Sequence, residues 1–212
     1  MIRPRGFLIT VVASLLTLAS CSSPNTANTE KKTEEAAKPP ATPVAGSFKV
    51  LMATSKGDIT IEVHRDWAPI GAQRFYELVQ AGFYDNARFF RYVPNFVVQF
   101  GLAADPKVTK KWDTTIADDP VTHVNRTGSL SFATAGPNTR TSQIFINLRT
   151  NQTLDDQGFA PFAQVTDGMP VVEKLYSAYG ESPDQDAIRL RGNSYLLSSY
   201  PKMDYIKTAK IL

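Results

Sequence analysis

One arginine lies in an otherwise uncharged, mostly apolar run, and a permanent positive charge in such a run suggests a functional site. The run covers residues 89–101, and Arg91 is its only charged residue. Because a guanidinium stays protonated in proteins, it needs either solvent or a functional role. If residues 92–94 bend the chain between two short strands, Arg91, Phe96 and Gln99 can face one groove offering a cation, an aromatic surface and an amide. Such a groove suits an apolar peptide, although a half-buried strand pair with an arginine reaching solvent explains the run equally well.

A second stretch, residues 128–147, also places polar side chains at strand positions. It is interpreted as a strand, a tight turn at Gly136-Pro137-Asn138, and another strand. In the latter, Gln143, Phe145 and Asn147 alternate with isoleucines, so one face is polar and aromatic while the other is apolar.

Other groups that could carry chemistry are few. Asp118 and Asp119 could suggest a metal site, but no third ligand is near and Pro120 follows, so a turn is the favoured interpretation. His64 falls on the polar face of a strand and His123 in a loop, and neither is assigned a catalytic role. We therefore expect neither a metal nor another cofactor.

The elements that must position these side chains are mostly short strands. Period-2 alternation predicts strands over residues 48–54 and 59–63, and a closing strand over residues 203–211. Helices are predicted from Pro69 to Gly82 and from Gly168 to Ala178. Many short strands with two helices indicate a mainly β fold, a closed antiparallel β-barrel with helices over its ends.

Two further segments are expected to be irregular. Residues 102–128 are rich in Lys, Asp, Thr and Pro and are interpreted as a long surface excursion. The polar residues between the second helix and the closing strand are given no regular structure.

Composition excludes several classes of protein. The 23 Lys+Arg and 20 Asp+Glu give a net charge of +3, and without a basic cluster this does not indicate nucleic-acid binding. The single cysteine excludes an intrachain disulfide.

The first 46 residues are expected to lie outside the fold. Arg3 and Arg5 precede an uncharged apolar run over residues 6–20, which is too short to span a membrane and is typical of a secretory signal. The run ends Leu18-Ala19-Ser20-Cys21, which resembles the bacterial lipobox, where cleavage precedes a cysteine that then carries acyl chains. An ordinary signal peptide with a chance cysteine is the alternative.

This pattern predicts the organisation of the N-terminus and its location. Residues 1–20 would be a lipoprotein signal peptide, and residues 21–46 a lipidated Cys21 with a disordered tether that lacks aromatic residues. We expect the protein in the bacterial cell envelope, anchored by lipid to a membrane and facing the periplasm or the exterior. Ser22 after the cysteine favours the outer membrane in a bacterium that has two membranes.

The two stretches together resemble the cyclophilin-type peptidyl-prolyl cis–trans isomerases. The resemblance extends from about Lys49 to Leu212 and rests on two motifs: Phe89-Phe90-Arg91 with Pro94-Asn95-Phe96 and Gln99, then Ala135-Gly136-Pro137-Asn138-Thr139 with Ser142-Gln143-Ile144-Phe145. It implies an isomerase domain over residues 47–212, an eight-stranded antiparallel barrel capped by two α-helices, with a substrate groove on its outer face.

The resemblance also implies roles for individual residues. Arg91 matches the catalytic arginine, which would donate a hydrogen bond to the substrate proline nitrogen. The pocket for the proline ring is implied for Phe96, Val97, Phe145 and Leu154, and Phe159 is implied as a further substrate-binding position. The positions that hold the peptide backbone are Gln99, Ala133, Thr134 and Gln143.

Four positions depart from the family pattern. Thr153 stands where tryptophan is frequent, Phe159 where histidine is usual, Val97 where methionine is common, and Thr134 where asparagine is. These departures imply weak cyclosporin binding, but they leave the arginine and the phenylalanine pocket in place.

The implied function is acceleration of X–Pro isomerisation in proline-containing polypeptides of the envelope, by a monomer. The slow step is rotation about an amide bond, so no nucleophile, metal or acid–base pair is required. The alternative is a non-catalytic module that binds proline-containing segments in the same groove. Arg91 favours the enzyme, because binding alone does not need a cation aimed at the proline nitrogen.

Overall fold

The computed structural model describes residues 46–212, here called the barrel domain. The predicted signal peptide, Cys21 and the tether as far as residue 45 lie outside the described residues. None of the helices found in the barrel domain combines the length and the apolar composition needed to cross a bilayer.

Eight strands form one antiparallel sheet in the barrel domain. They are β1 (Phe48–Thr54), β2 (Gly57–Val63), β3 (Arg91–Val93), β4 (Val97–Phe100), β5 (Ser129–Phe132), β6 (Ile144–Asn147), β7 (Pro161–Asp167) and β8 (Ile206–Ile211). Their order across the sheet is β3-β4-β6-β5-β7-β2-β1-β8. In β1, Val50, Met52 and Thr54 are buried at every second position, which is the alternation that the sequence predicts.

The two outermost strands of the sheet, β3 and β8, do not pair with each other in a ladder. The chain just before β3 meets the start of β8. Arg88 forms an isolated bridge with Tyr205, Phe89 N–H donates to the Asp204 carbonyl at 3.1 Å, and Ile206 exchanges main-chain hydrogen bonds with Asn86 and Ala87. The eight antiparallel strands are confirmed, whereas "closed" slightly overstates a half-barrel whose two outermost strands are not paired with each other.

Helix α1 (Pro69–Gln80) covers the core and receives its N-terminal cap from a distant loop. Its own N-cap residue, Ala68, offers no side-chain hydrogen bond. Asp119 takes that place, since its carboxylate accepts the N–H groups of Ile70 at 3.0 Å and of Gly71 at 2.7 Å. The excursion over residues 102–128 therefore stabilises the first turn of α1.

Five further helices are short. They are α2 (Pro106–Lys111), α3 (Thr153–Asp156), α4 (Met169–Glu173), α5 (Gln185–Arg191) and α6 (Asn193–Ser199). The predicted second helix corresponds to α4, which ends early because Tyr176 N–H donates to Asp204 at 2.7 Å instead of to a helical carbonyl. Prediction missed the other four, which have at most seven residues each. Gly192, at φ +55°, also separates α5 from α6.

Helices α5 and α6 have a small core of their own beside the sheet. Ile188 and Leu196 are buried there against Phe90 and Leu102, which lie directly before β3 and after β4. The segment over residues 176–203 is thereby fixed to the edge of the sheet that carries Arg91.

Candidate active site

A groove of about 520 Å³ lies beside β3, β4 and β6. All ten residues for which the sequence predicts a substrate or catalytic role line it: Arg91, Phe96, Val97, Gln99, Ala133, Thr134, Gln143, Phe145, Leu154 and Phe159. Six more line it to which the sequence analysis assigned no role: Ala135, Thr139, Thr141, Gln157, Gln185 and Arg189. The structure thus brings the predicted residues together, while their roles stay predictions.

Alternation along the strands divides side chains between the core and the groove. In β4, Val98 and Phe100 belong to the main core, whereas Val97 and Gln99 line the groove. In β6, Phe145 lies on the groove side, at the position that pairs with Gln99. Both strands are therefore buried on two faces, one facing the core and the other the groove.

A tight hairpin places Arg91 opposite Gln99. The turn joining β3 to β4 contains Pro94 and Asn95, and Asn95 has φ +57°, a left-handed conformation that asparagine tolerates better than most residues. Phe96 N–H closes the turn onto the Val93 carbonyl at 3.0 Å. The bend expected near Tyr92 to Pro94 thus lies slightly later along the chain.

A chain of polar side chains crosses the floor of the groove. Arg91 Nη1 donates to Gln99 Oε1 at 3.3 Å, and Gln99 Nε2 donates to Gln143 Oε1 at 3.0 Å. Within the described residues Gln143 Nε2 makes no protein hydrogen bond, and it is not among the atoms sealed from solvent. The amide of Gln143 is therefore left as a donor for a carbonyl placed in the groove.

Arg91 has a second partner that sequence reasoning missed. Glu181 Oε1 accepts a hydrogen bond from Arg91 Nε at 2.7 Å and forms an ion pair with Nη2 at 2.6 Å. Glu181 lies 90 residues downstream, in a segment predicted to be irregular, so no local sequence signal links it to the arginine.

The apolar end of the groove is a small cluster separate from the main core. Val97, Phe145 and Leu154 are buried in it, and Phe96, Ala133 and Phe159 pack against them. The rings of Phe145 and Phe159 meet edge to face with centroids 5.5 Å apart. This end has the shape and polarity for one compact apolar ring.

Buried asparagines hold this pocket in shape, and sequence reasoning missed them. The Asn125 side chain donates to Asp155 Oδ1 at 2.7 Å and to the Phe159 carbonyl at 2.8 Å. Asn151 Nδ2 donates to the Phe96 carbonyl at 3.0 Å and to Asn147 Oδ1 at 2.8 Å. The main-chain carbonyls of Phe96 and Phe159 are thus held by one connected network of asparagine side chains. The sequence signalled only Asn147, a polar residue at the end of the apolar strand β6.

The loop over residues 134–140, which forms another wall of the groove, is clamped by Asp118. Its carboxylate accepts the Asn138 N–H at 3.0 Å and pairs with the Arg140 guanidinium. Arg140 Nη2 also donates to the Gly158 carbonyl at 2.6 Å, and its guanidinium lies 5.9 Å from the Phe159 ring centroid. Asp118 is therefore a structural partner of the loop.

Asp118 gives the fold a testable dependence on pH. Burial raises the pKa of its carboxyl, but the Asn138 N–H and the Arg140 guanidinium outweigh that effect and hold the pKa below its usual range. Stability from this lowered pKa is present above the unfolded value of about 3.9, and it is lost as the pH falls through the folded value. We expect Asp118→Asn to lower the free energy of unfolding by about 2 kcal/mol at pH 7, and the difference from wild type to shrink below about pH 4.

Urea unfolding at pH 7 and pH 3 measures this difference. Asp186→Asn is the matched control, because Asp186 is exposed and makes no hydrogen bond or ion pair in the described structure. An equal loss for Asp118→Asn at both pH values would contradict the electrostatic origin.

Two residues singled out from the sequence are placed differently from the rest. The Thr134 hydroxyl bonds within its own loop, to the Gly136 carbonyl and to Thr139 Oγ1, the latter at 2.9 Å. A role of Thr134 in holding a peptide would therefore fall to its main chain. Thr153 is exposed at the start of α3 and does not line the groove.

Among residues 46–212, no three His, Cys, Asp or Glu side chains lie close enough to share a metal ion. Asp118 and Asp119, the pair considered above, are each bonded to protein N–H groups.

Comparison with known proteins points to one family. A family model described as "Cyclophilin type peptidyl-prolyl cis-trans isomerase/CLD" matches residues 49–192. Peptidyl-prolyl cis-trans isomerase-like 1 of Rhizopus delemar is 40% identical over 134 residues, which cover 60% of this chain and 79% of that protein. Peptidyl-prolyl cis-trans isomerase A of Dickeya dadantii is 33% identical over 156 residues, which cover 68% of this chain and 78% of that protein.

A solved structure shares the fold. The crystal structure of a Cryptosporidium parvum cyclophilin type peptidyl-prolyl cis-trans isomerase, determined in the presence of the dipeptide Ala-Pro, superposes with a TM-score of 0.59 at 25% identity. The superposition covers 77% of this chain and 98% of that chain. It confirms the mainly β, eight-stranded antiparallel fold predicted from the sequence.

Proposed function

Because the chain belongs to the cyclophilin-type peptidyl-prolyl cis-trans isomerase family, we propose that it isomerises X–Pro bonds through Arg91 in the groove. Membership of the family makes the chain an isomerase, and proline-containing polypeptides are its substrates. One observation carries the finer proposal: Arg91 lies at the rim of an apolar pocket, with Nη donors still available.

Arg91 would act by favouring the twisted amide over the planar one. In the ground state the proline nitrogen lends its lone pair to the carbonyl, and rotation about that bond has a barrier of roughly 20 kcal/mol. As the bond twists, the lone pair localises on the nitrogen and becomes a hydrogen-bond acceptor. A guanidinium donating to it stabilises the transition state more than the substrate, which is the condition for catalysis.

The rest of the groove would hold the two sides of the rotating bond differently. The cluster around Phe96 and Phe145 would grip the pyrrolidine ring, and Gln143 Nε2 would donate to a substrate carbonyl. Excluding water from this pocket strengthens the remaining polar contacts. The Ala-Pro dipeptide named for the solved relative is the size of ligand that such a pocket would take.

Exchange NMR on a short X–Pro peptide tests the proposal with the full chain. We expect cis–trans exchange to be much faster than the uncatalysed reaction, in which one isomerisation takes roughly tens to hundreds of seconds. Exchange no faster than in buffer would refute turnover. Binding without faster exchange would establish the non-catalytic module instead.

We further propose that the enzyme acts in the bacterial cell envelope, tethered to a membrane. Support comes only from the sequence of residues 1–46, above all the lipobox-like Leu18-Ala19-Ser20-Cys21. Several acyl chains on Cys21 would make the attachment stable, since a single fatty chain anchors only marginally.

The anchor predicts a clear result for Cys21→Ser. We expect the variant to leave the membrane fraction and to lose fatty-acid labelling, because its N-terminus can no longer be acylated. Isomerase activity of the variant should equal that of wild type, since the barrel domain is unchanged. A variant that still fractionates with membranes would refute lipidation as the attachment.

A further inference from the structure

The ion pair between Arg91 and Glu181 adds a residue to the isomerase site. We propose that Glu181 is a positioning residue, which holds the Nε edge of Arg91 so that the remaining Nη hydrogens face the groove. This inference rests on the proposed role of Arg91 in isomerisation.

Some N–H groups of the Arg91 guanidinium bond to protein acceptors, and the others remain available in the groove. Arginine has five N–H hydrogens in a rigid planar fork. Glu181 Oε1 accepts the Nε hydrogen at 2.7 Å and lies 2.6 Å from Nη2, and Gln99 Oε1 accepts one hydrogen from Nη1 at 3.3 Å. Even when one Nη2 hydrogen faces Glu181, one hydrogen remains on each Nη for the groove. Because the fork is planar, fixing the Nε edge also fixes the direction of these two hydrogens.

The main chain holds Glu181 in place from both sides. The Gly180 carbonyl accepts the N–H of Tyr92, the residue after the arginine, at 3.0 Å. The Ser182 carbonyl accepts the Tyr200 hydroxyl at 2.9 Å. Tyr92 lies on the edge strand β3, so this hydrogen bond also satisfies a donor that the sheet leaves open. Glu181 is therefore fixed relative to the strand that carries Arg91.

The wider segment also belongs to the groove. Residues 176–203 are anchored by the small core in which Ile188 and Leu196 pack against Phe90 and Leu102. From this segment Gln185 and Arg189, one turn apart on α5, line the groove. The carboxylate thus comes from a third wall of the site, and the placement of that wall depends on tertiary packing.

Glu181 does not line the groove, so it would act through Arg91 and not on the substrate itself. The side chain of Glu181 is 60% exposed and that of Arg91 25%. Because exposed ion pairs are weak, removing the carboxylate should cost only a few-fold in rate. The loss should appear in kcat, since the pocket that binds the proline ring is untouched.

The test compares four variants of the full chain with wild type, using an Ala-Ala-Pro-Phe peptide. We expect Glu181→Ala to lower kcat about fivefold with KM unchanged, and the arginine Nε–H signal of Arg91 to lose its protection from solvent exchange in NMR spectra. Glu181→Gln keeps an oxygen that accepts from Nε, so kcat should stay within about twofold of wild type. Asp186→Ala removes the same charge from the same segment without contacting Arg91, and it should change nothing.

Arg91→Ala separates the two proposals. If it leaves the rate unchanged, the proposed function of Arg91 fails. If it abolishes turnover while Glu181→Ala keeps wild-type kcat and a protected Nε–H, the positioning role is overturned and the mechanism stands. A rise in kcat for Glu181→Ala would also overturn positioning, because the carboxylate would then be restraining the cation.

Discussion

Arg91→Ala is expected to lower kcat/KM for an X–Pro peptide about 1,000-fold, which corresponds to about 4 kcal/mol of transition-state stabilisation. The variant removes the only donor that the proposal aims at the proline nitrogen, while the apolar pocket stays intact. Peptide affinity should therefore change little, and the loss should fall on kcat. Exchange NMR with peptide titration measures both quantities.

Folding of this variant should be almost unaffected. The ion pair that it breaks joins two side chains that both reach solvent, and such pairs contribute at most about 1 kcal/mol. Arg91→Lys keeps the charge but lacks the planar fork that serves Gln99, Glu181 and the substrate together, so we expect it to stay about 100-fold below wild type.

Arg65→Ala is the matched control for these changes. Arg65 donates one hydrogen bond to Gln73 and does not line the groove, so its removal should leave turnover unchanged. Turnover of Arg91→Ala within about tenfold of wild type, a barrier change below about 1.4 kcal/mol, would contradict the mechanism.

Asn125→Ala is expected to lower the free energy of unfolding by about 3–4 kcal/mol. The side chain is fully buried and donates to Asp155 and the Phe159 carbonyl. It also accepts hydrogen bonds from Ser131 Oγ at 2.8 Å and Asn147 Nδ2 at 3.1 Å. Truncation leaves the Phe159 carbonyl and the Ser131 hydroxyl without their partner and removes one hydrogen bond each from Asp155 and Asn147. A loss of this size should lower Tm by about 10 °C in a domain of this length.

The same change should weaken substrate binding. Asn125 anchors the main chain of Phe159, whose ring meets Phe145 in the apolar pocket proposed to bind the proline ring. We expect KM to rise while kcat changes less, because the arginine lies on another element. Thermal unfolding and steady-state kinetics on one preparation measure both effects.

Two variants separate hydrogen bonding from packing at this site. Asn125→Asp keeps the volume but turns a donor into an acceptor facing the Asp155 carboxylate, so it should destabilise at least as much as alanine. Gln152→Ala is the control, since Gln152 is exposed and its side chain does not cap α3. Asn125→Asp with wild-type stability would show that the network contributes nothing.

The sequence by itself determined the local part of the site. Arg91, Phe96 and Gln99 lie within nine residues, so strand alternation and one turn at Pro94-Asn95 suffice to bring them together. The alternation around Phe145 likewise predicted which side chains of β6 point away from the main core. Period-2 patterns are short-range consequences of strand geometry, and they can be read without knowing the partner strand.

The tertiary structure decided what contacts these residues. Gln143 is 44 residues from Gln99, and Glu181 is 90 residues from Arg91. Which strands become neighbours, and where α5 and α6 dock, depends on burying apolar area that is shared among distant segments. Glu181 is a single acidic residue in a stretch without a periodic pattern, so the sequence does not indicate that it contacts Arg91.

Buried polar groups show the same limit. Asn125 looked like part of a polar surface loop, and its location inside the fold follows from partners at Ser131, Asn147 and Asp155. Burial of an amide is stable only when every partner is in place, and this condition exists only in the assembled barrel domain. The sequence therefore identified the arginine and the ring pocket, and the tertiary structure supplied the carboxylate and the amides that hold them.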